Sequence, residues 1–166
     1  KSSAASDVYK RQPLTGSVLD PHKSLVPNTF DLIITNPPYL ESNSSNPSPE
    51  KRKNSANVET EVDLCTWLNF SAKFLKPGGH ISLIHRADRL DHILTLMRTS
   101  FGGLSVYPLW PKTGRPAKRV IVSGIKGSAS PTKILPGATI HDADGSYTAP
   151  VQAALTGEKL LADLLN

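Results

Sequence analysis

A single cysteine, Cys65, among 166 residues excludes an internal disulfide and any zinc site built from several cysteines. It falls in a stretch of helical periodicity and reads as a packed side chain, not a nucleophile. No apolar run approaches the roughly 20 residues that span a bilayer, and the N-terminus lacks the apolar block of a signal peptide. The expected setting is therefore cytoplasmic, with no membrane partner. Acid is missing locally: residues 92–141 hold no Asp or Glu, yet carry Arg98, Lys112, Arg115, Lys118, Arg119, Lys126 and Lys133 in a chain of net charge +5. That imbalance suits a phosphate-bearing partner and equally a solvated basic face, so charge alone does not choose between them.

Residues 1–12 lack both a starting methionine and any hydrophobic period. They resemble translated sequencing-adapter read-through and are set aside as a non-native or disordered leader. The remainder is expected to be a fragment, with a partial enzyme-like domain over 13–127 and a C-terminal extension with a closing helix over 128–166.

Within 13–127, Leu14–Leu19 and Phe30–Thr35 read as strands, the second as buried because its apolar run is nearly continuous. Residues 41–56, rich in Ser, Asn, Pro and charge, read as a surface loop. Apolar spacing predicts a helix from about Val58 to Leu75, stopped by Lys76-Pro77-Gly78-Gly79, since proline cannot continue it and glycine accepts the left-handed turn. A strand over His80–His85 and a helix over Asp88–Ser100 follow. Strands at Leu104–Leu109 and Arg119–Lys126 form a hairpin, and a helix from Pro150 to Leu164 closes the chain. The class is α/β, with parallel strands and an antiparallel terminal hairpin.

The chemistry concentrates where the second strand ends, at Asn36-Pro37-Pro38-Tyr39. Ligands of open α/β sheets bind at the carboxyl ends of strands. Two proline rings fix φ and remove two N–H donors, so the local carbonyls are held as preorganised acceptors. An amine conjugated to an aromatic base is a poor nucleophile because its lone pair is delocalised. If the Asn36 side-chain oxygen and the Pro37 carbonyl each accept one N–H, the nitrogen is drawn toward tetrahedral geometry. Tyr39 would then stack on an extruded base. This chemistry needs no metal. The competing reading is a proline-rich turn after a strand; the flanking strands and the Leu75–His80 stop favour the functional one.

The Asn-Pro-Pro-Tyr corner resembles that of amino-group methyltransferases with a Rossmann-like fold. Further residues, Ile84-His85-Arg86-Ala87-Asp88-Arg89-Leu90, Phe101-Gly102-Gly103-Leu104, Lys126-Gly127-Ser128 and His141-Asp142-Ala143-Asp144-Gly145, resemble the bacterial tRNA adenine-N6 methyltransferase family from about Gly16 to Gly157. The resemblance implies S-adenosylmethionine as cofactor, tRNA as partner, and Asn36, Pro37, Pro38 and Tyr39 as catalytic residues. It also implies the family strand order 3-2-1-4-5-7-6, of which this chain would be the C-terminal part without strands 1 and 2. Cofactor contacts would fall on Ser17, Val18 and Asn36, although the glycine-rich cofactor turn is absent and Gly16-Ser17 stands where the family has Gly-Asp.

Substrate contacts are expected at Arg86, Arg89, Arg119 and Lys126. The alternatives are a salt bridge to Asp88 or Asp91 for the first two and strand capping for the others. His85, ending an apolar strand, reads as structural. The same motif would serve an rRNA guanine amine or a release-factor glutamine amide, and the chain would also fit a non-catalytic RNA-binding remnant.

Overall fold

The computed structural model describes residues 13–37 and 63–158. β1 (Phe30–Thr35) is followed by α1 (Leu64–Phe74), β2 (Leu75–Arg86), a 3-10 turn (Ala87–Arg89), α2 (Leu90–Met97), β3 (Phe101–Trp110) and β4 (Arg119–Lys126). Two short strands, β5 (Lys133–Ile134) and β6 (Ala138–Thr139), precede α3 (Ala149–Thr156).

These boundaries have local causes. Asp63 opens α1 by accepting the Thr66 N–H at 2.8 Å, a side-chain cap for an otherwise orphaned donor. At the other end Leu75 turns extended, and Gly78 adopts φ +76 inside the Lys76–Gly79 stop. The backbone N–H groups of Asn28 and Thr29 reach the carbonyls of Lys73 and Phe74, so the end of α1 fixes the entry into β1.

The strands form one sheet in the order β1-β2-β4-β3-β5, with β6 also pairing β3. β1 and β2 are parallel, whereas β2 with β4 and β4 with β3 are antiparallel. The first four positions reproduce the 4-5-7-6 half of the expected strand order. Strand alternation separates two faces. On one, Ile81, Leu83, Val106, Val120 and Val122 pack with Leu68 of α1 and with Ile93 and Met97 of α2 to form the core. Gly124 lies on this face too, where an added Cβ would stand 2.7 Å from Leu104 Cδ2.

Three expectations are corrected. Leu14–Leu19 forms no strand: Ser17 and Asp20 exchange backbone hydrogen bonds, the Ser17 hydroxyl takes the Leu19 N–H, and Leu14 and Leu19 are exposed. Local side-chain bonding replaces a ladder for which the described residues offer no partner. β1 is not buried, since Leu32 is 53% and Ile34 77% exposed, and no described strand pairs with its outer edge. The closing helix stops at Thr156 because Gly157 turns left-handed at φ 79 and sends the Glu158 N–H back to the Ala153 carbonyl. Residues 38–62 and 159–166, including the expected loop at 41–56 and the first residues of the expected helix from Val58, lie outside the described residues.

Candidate active site

The sheet presents Asn36 and Pro37 directly after β1, at its carboxyl end. Thr35 pairs with Leu83 on the core face. Continuing the alternation puts Asn36 on the opposite face, level with Ile84, and returns Pro37 toward the core. The accessibility agrees: Asn36 is exposed, whereas Pro37 is less than 2% exposed. A rigid buried proline therefore anchors the backbone beside an exposed carboxamide. Pro38 and Tyr39 lie outside the described residues.

Arg86 and Arg119 are directly opposed in the β2–β4 ladder, at the same end of the sheet and on the same face as Asn36. Opposed like charges repel. Asp88 offsets one of them, taking Arg86 Nε at 3.0 Å and Nη2 at 2.5 Å in a bidentate pair. That pairing holds the exposed Asp88 carboxyl below its ordinary range. Arg89 follows in the 3-10 turn, half-buried. The Ala87 N–H donates to the Lys118 carbonyl, tying this turn to the start of β4.

Lys126 stands apart from these arginines. It ends β4 at the amino end of β1, and its ammonium donates to Asn28 Oδ1 at 2.8 Å and to the Leu75 carbonyl at 2.7 Å. At about 3.4 Å per residue, β4 separates it from Arg119 by more than 20 Å. Its geometry is that of a clasp between β4 and the connection into β1.

His85 is 6% exposed on the core face of β2. Burial is the largest cause of its lowered pKa, and the nearby guanidiniums of Arg89 and Arg86 act in the same direction. A neutral buried imidazole here packs the strand beneath the corner.

The described residues do not form a cradle for S-adenosylmethionine. Ser17 spends its hydroxyl on the Leu19 N–H, and an exposed Ser17 and a half-buried Val18 lie at the start of a bend rather than at a strand end. No described strand beside β1 supplies a glycine-rich turn. Of the three residues expected at the cofactor, Asn36 alone sits at the sheet's carboxyl edge. Among the described residues no His, Cys, Asp and Glu cluster is arranged to hold a metal, and no helix is long and apolar enough to cross a membrane.

The sequence reading assigned no contact to Lys118 or His141. Both line a recess at the same sheet edge, and the signals available were the acid-free span and the His141–Gly145 run.

The profile of a family described as Eco57I restriction-modification methylase matches residues 15–93. A protein of Actinobacillus pleuropneumoniae serotype 7 named tRNA1(Val) (adenine(37)-N6)-methyltransferase is 33% identical over 151 residues, which is 89% of this chain and 59% of that protein. A protein of the same name from Glaesserella parasuis is 32% identical over 123 residues, covering 72% of this chain and 49% of the relative. A solved structure of a predicted O-methyltransferase from Agrobacterium tumefaciens superimposes with TM-score 0.67 at 24% identity, over 87% of this chain and 62% of that one. The resemblance read from the residues thus extends along the sequence, and the mixed sheet is that of a methyltransferase fold. The chain spans under two thirds of the length of the curated relatives it matches.

Proposed function

We propose that this chain, a homologue of proteins named tRNA1(Val) (adenine(37)-N6)-methyltransferase on a methyltransferase fold, carries the acceptor side of N6-methylation of adenine in tRNA. The supporting observation is the corner itself: an exposed Asn36 beside a buried Pro37 at the carboxyl end of β1, on the same sheet face as Arg86 and Arg119. The Asn36 side-chain oxygen and the Pro37 carbonyl each accept one N–H of the target amine. This draws the nitrogen out of conjugation and fixes its orientation. Pro38 and Tyr39 complete the motif, with the Tyr39 ring assigned to stacking on the extruded base. Arg89 and Arg119 hold the RNA backbone, since guanidinium groups meet phosphate bidentately, while Arg86, its Nε and Nη2 already donated to Asp88, adds positive charge beside them. Lys126 holds the sheet together instead.

S-adenosylmethionine supplies the methyl group in methyltransferases of this kind. Because Ser17 and Val18 form no cradle, the 166-residue chain is expected to bind it weakly or not at all. Low-micromolar binding in isothermal titration would overturn that expectation. The workplace of such an activity is the cytoplasm.

Transfer of labelled methyl by the full-length gene product to purified tRNA tests the function. Asn36→Ala is expected to lower the rate by about 10²–10³ while cofactor affinity changes little. Equal rates in the variant, or labelling of a release factor with tRNA left unlabelled, would refute the reading.

A further inference from the structure

At the carboxyl edge of the sheet, on the side of β4 away from β1, lies a recess of ≈ 360 Å³ lined by Leu109, Pro111, Lys118, Arg119, Ile140 and His141. It joins the β3–β4 hairpin to the segment after β6. Three bonds staple the two together: Ile140 N–H to the Trp110 carbonyl at 2.7 Å, His141 N–H to the Pro111 carbonyl at 3.1 Å, and the Lys112 ammonium to the Ala143 carbonyl at 3.0 Å. Gly137, at φ +82, lets the incoming chain press against the Pro108 carbonyl where no side chain would fit. The walls are therefore built before any ligand arrives.

The lining has two characters. Leu109, Pro111 and Ile140 make an apolar wall, continued by the His141 ring, which stacks on Tyr147 with centroids 4.9 Å apart. Lys118 and Arg119 make a cationic rim, and among the described residues Lys118 has no acid partner. His141 Nδ1 is buried and finds no hydrogen-bond partner among the described residues. Such an atom is costly unless a ligand or water completes it. An apolar slot with a few convergent polar groups, of this volume, matches small-molecule sites of nucleotide size. The positive rim selects an anionic occupant.

We propose that this recess binds a nucleotide neighbouring the target base in single-stranded RNA, its base against the apolar wall and its phosphate on Lys118 and Arg119. This rests on the acceptor-side reading above and extends it, because Leu109 and Arg119 are register partners and Arg119 in turn faces Arg86. The recess thus continues the row that starts at Asn36. Two inter-strand spacings, about 10 Å in all, separate β1 from β4, a span that one short unstacked stretch of RNA covers.

The test uses this chain with a fluorescent anticodon stem-loop RNA and, separately, adenosine 5′-monophosphate. Lys118→Ala and His141→Ala are each expected to weaken stem-loop binding about tenfold, and Lys118→Ala to reduce the salt slope by about one. The monophosphate should compete with the stem-loop, and adenosine should not. Lys118 carries an exposed side chain, so its variant remains informative if His141→Ala unfolds. Unchanged affinity in Lys118→Ala, or no stem-loop binding by the wild-type chain, overturns the recess. Failure of tRNA methylation by the full-length protein with Lys118-dependent monophosphate binding intact would instead sink the parent reading and leave the recess standing.

Discussion

β1 and β2 run side by side in parallel and carry similar apolar runs, Asp31-Leu32-Ile33-Ile34 and Ile81-Ser82-Leu83-Ile84, yet they occupy different environments. Leu83, with strands on both sides and helices above, is 1% exposed. Ile34, on the far face of a strand with one described neighbour, is 77% exposed. A strand's burial depends on how many neighbours it has and on what covers each face, and neither is encoded in its own residues. The same contrast divides the candidate site. Its rigid part, Pro37 and His85, faces the core, and its chemical part, Asn36 with Arg86 and Arg119, faces outward on the open side.

The contrast is sharpest in stability. Leu83→Ala should cost about 2–5 kcal/mol, a lost side chain plus a cavity, whereas Ile34→Ala should stay within about 0.5 kcal/mol. Urea denaturation measures both, and equal costs would break the comparison. Overpacking the covered face should come next: Gly124→Ala, facing Leu104 and the Met97 methyl, is expected to lose about 1–3 kcal/mol.

Lys126 and Arg119, at opposite ends of β4, should separate by readout. Lys126→Ala removes two charge-assisted bonds and should lower stability by about 1 kcal/mol with stem-loop binding unchanged. Arg119→Ala should do the reverse. A drop in RNA affinity for Lys126→Ala with stability intact would return it to the substrate contacts.

His85 gives the pH dependence. Its folded pKa lies below the ordinary 6.5, so on acidification the unfolded chain takes up the proton first. Stability is therefore full above pH 6.5 and falls as pH drops from there toward the folded pKa. Thermal melts between pH 7.5 and 5 should show that decline, and His85→Gln should flatten it. A wild-type melting temperature that rises over this range on acidification would contradict a depressed pKa.

The smallest effect on stability should come from charging the open face. Leu32→Lys with Ile34→Lys should leave the melting temperature nearly unchanged while reducing self-association in sedimentation, because these exposed apolar side chains flank a strand edge that no described strand pairs. Unaltered association would place any sticky surface elsewhere.

Much of this was legible in the linear chain. Periodicity located β1, both core helices and the β3–β4 hairpin, because helix and strand repeats report which side chains must leave water together. The Lys76–Gly79 stop and the Asn36-Pro37 corner were legible for a related reason: proline and glycine act through their own backbone geometry, whatever surrounds them. Leu14–Leu19 was misread because an apolar run becomes a strand only when another strand accepts its hydrogen bonds, and Ser17 supplied a local substitute. The closing helix was overextended because its apolar pattern runs on past Gly157 to Leu164, and the left-handed turn that glycine permits outweighed that pattern.

The basic residues separate the two kinds of information most clearly. Composition shows that 92–141 lacks acid, and the motif marks the corner proposed to hold an amine. Only pairing register could put Arg119 opposite Arg86 and Lys126 at the far end of the same strand, or bring His141 to the hairpin. Local conformation follows from each residue's own sterics and hydrophobicity, whereas contacts between residues distant in sequence exist only once the sheet has chosen its neighbours.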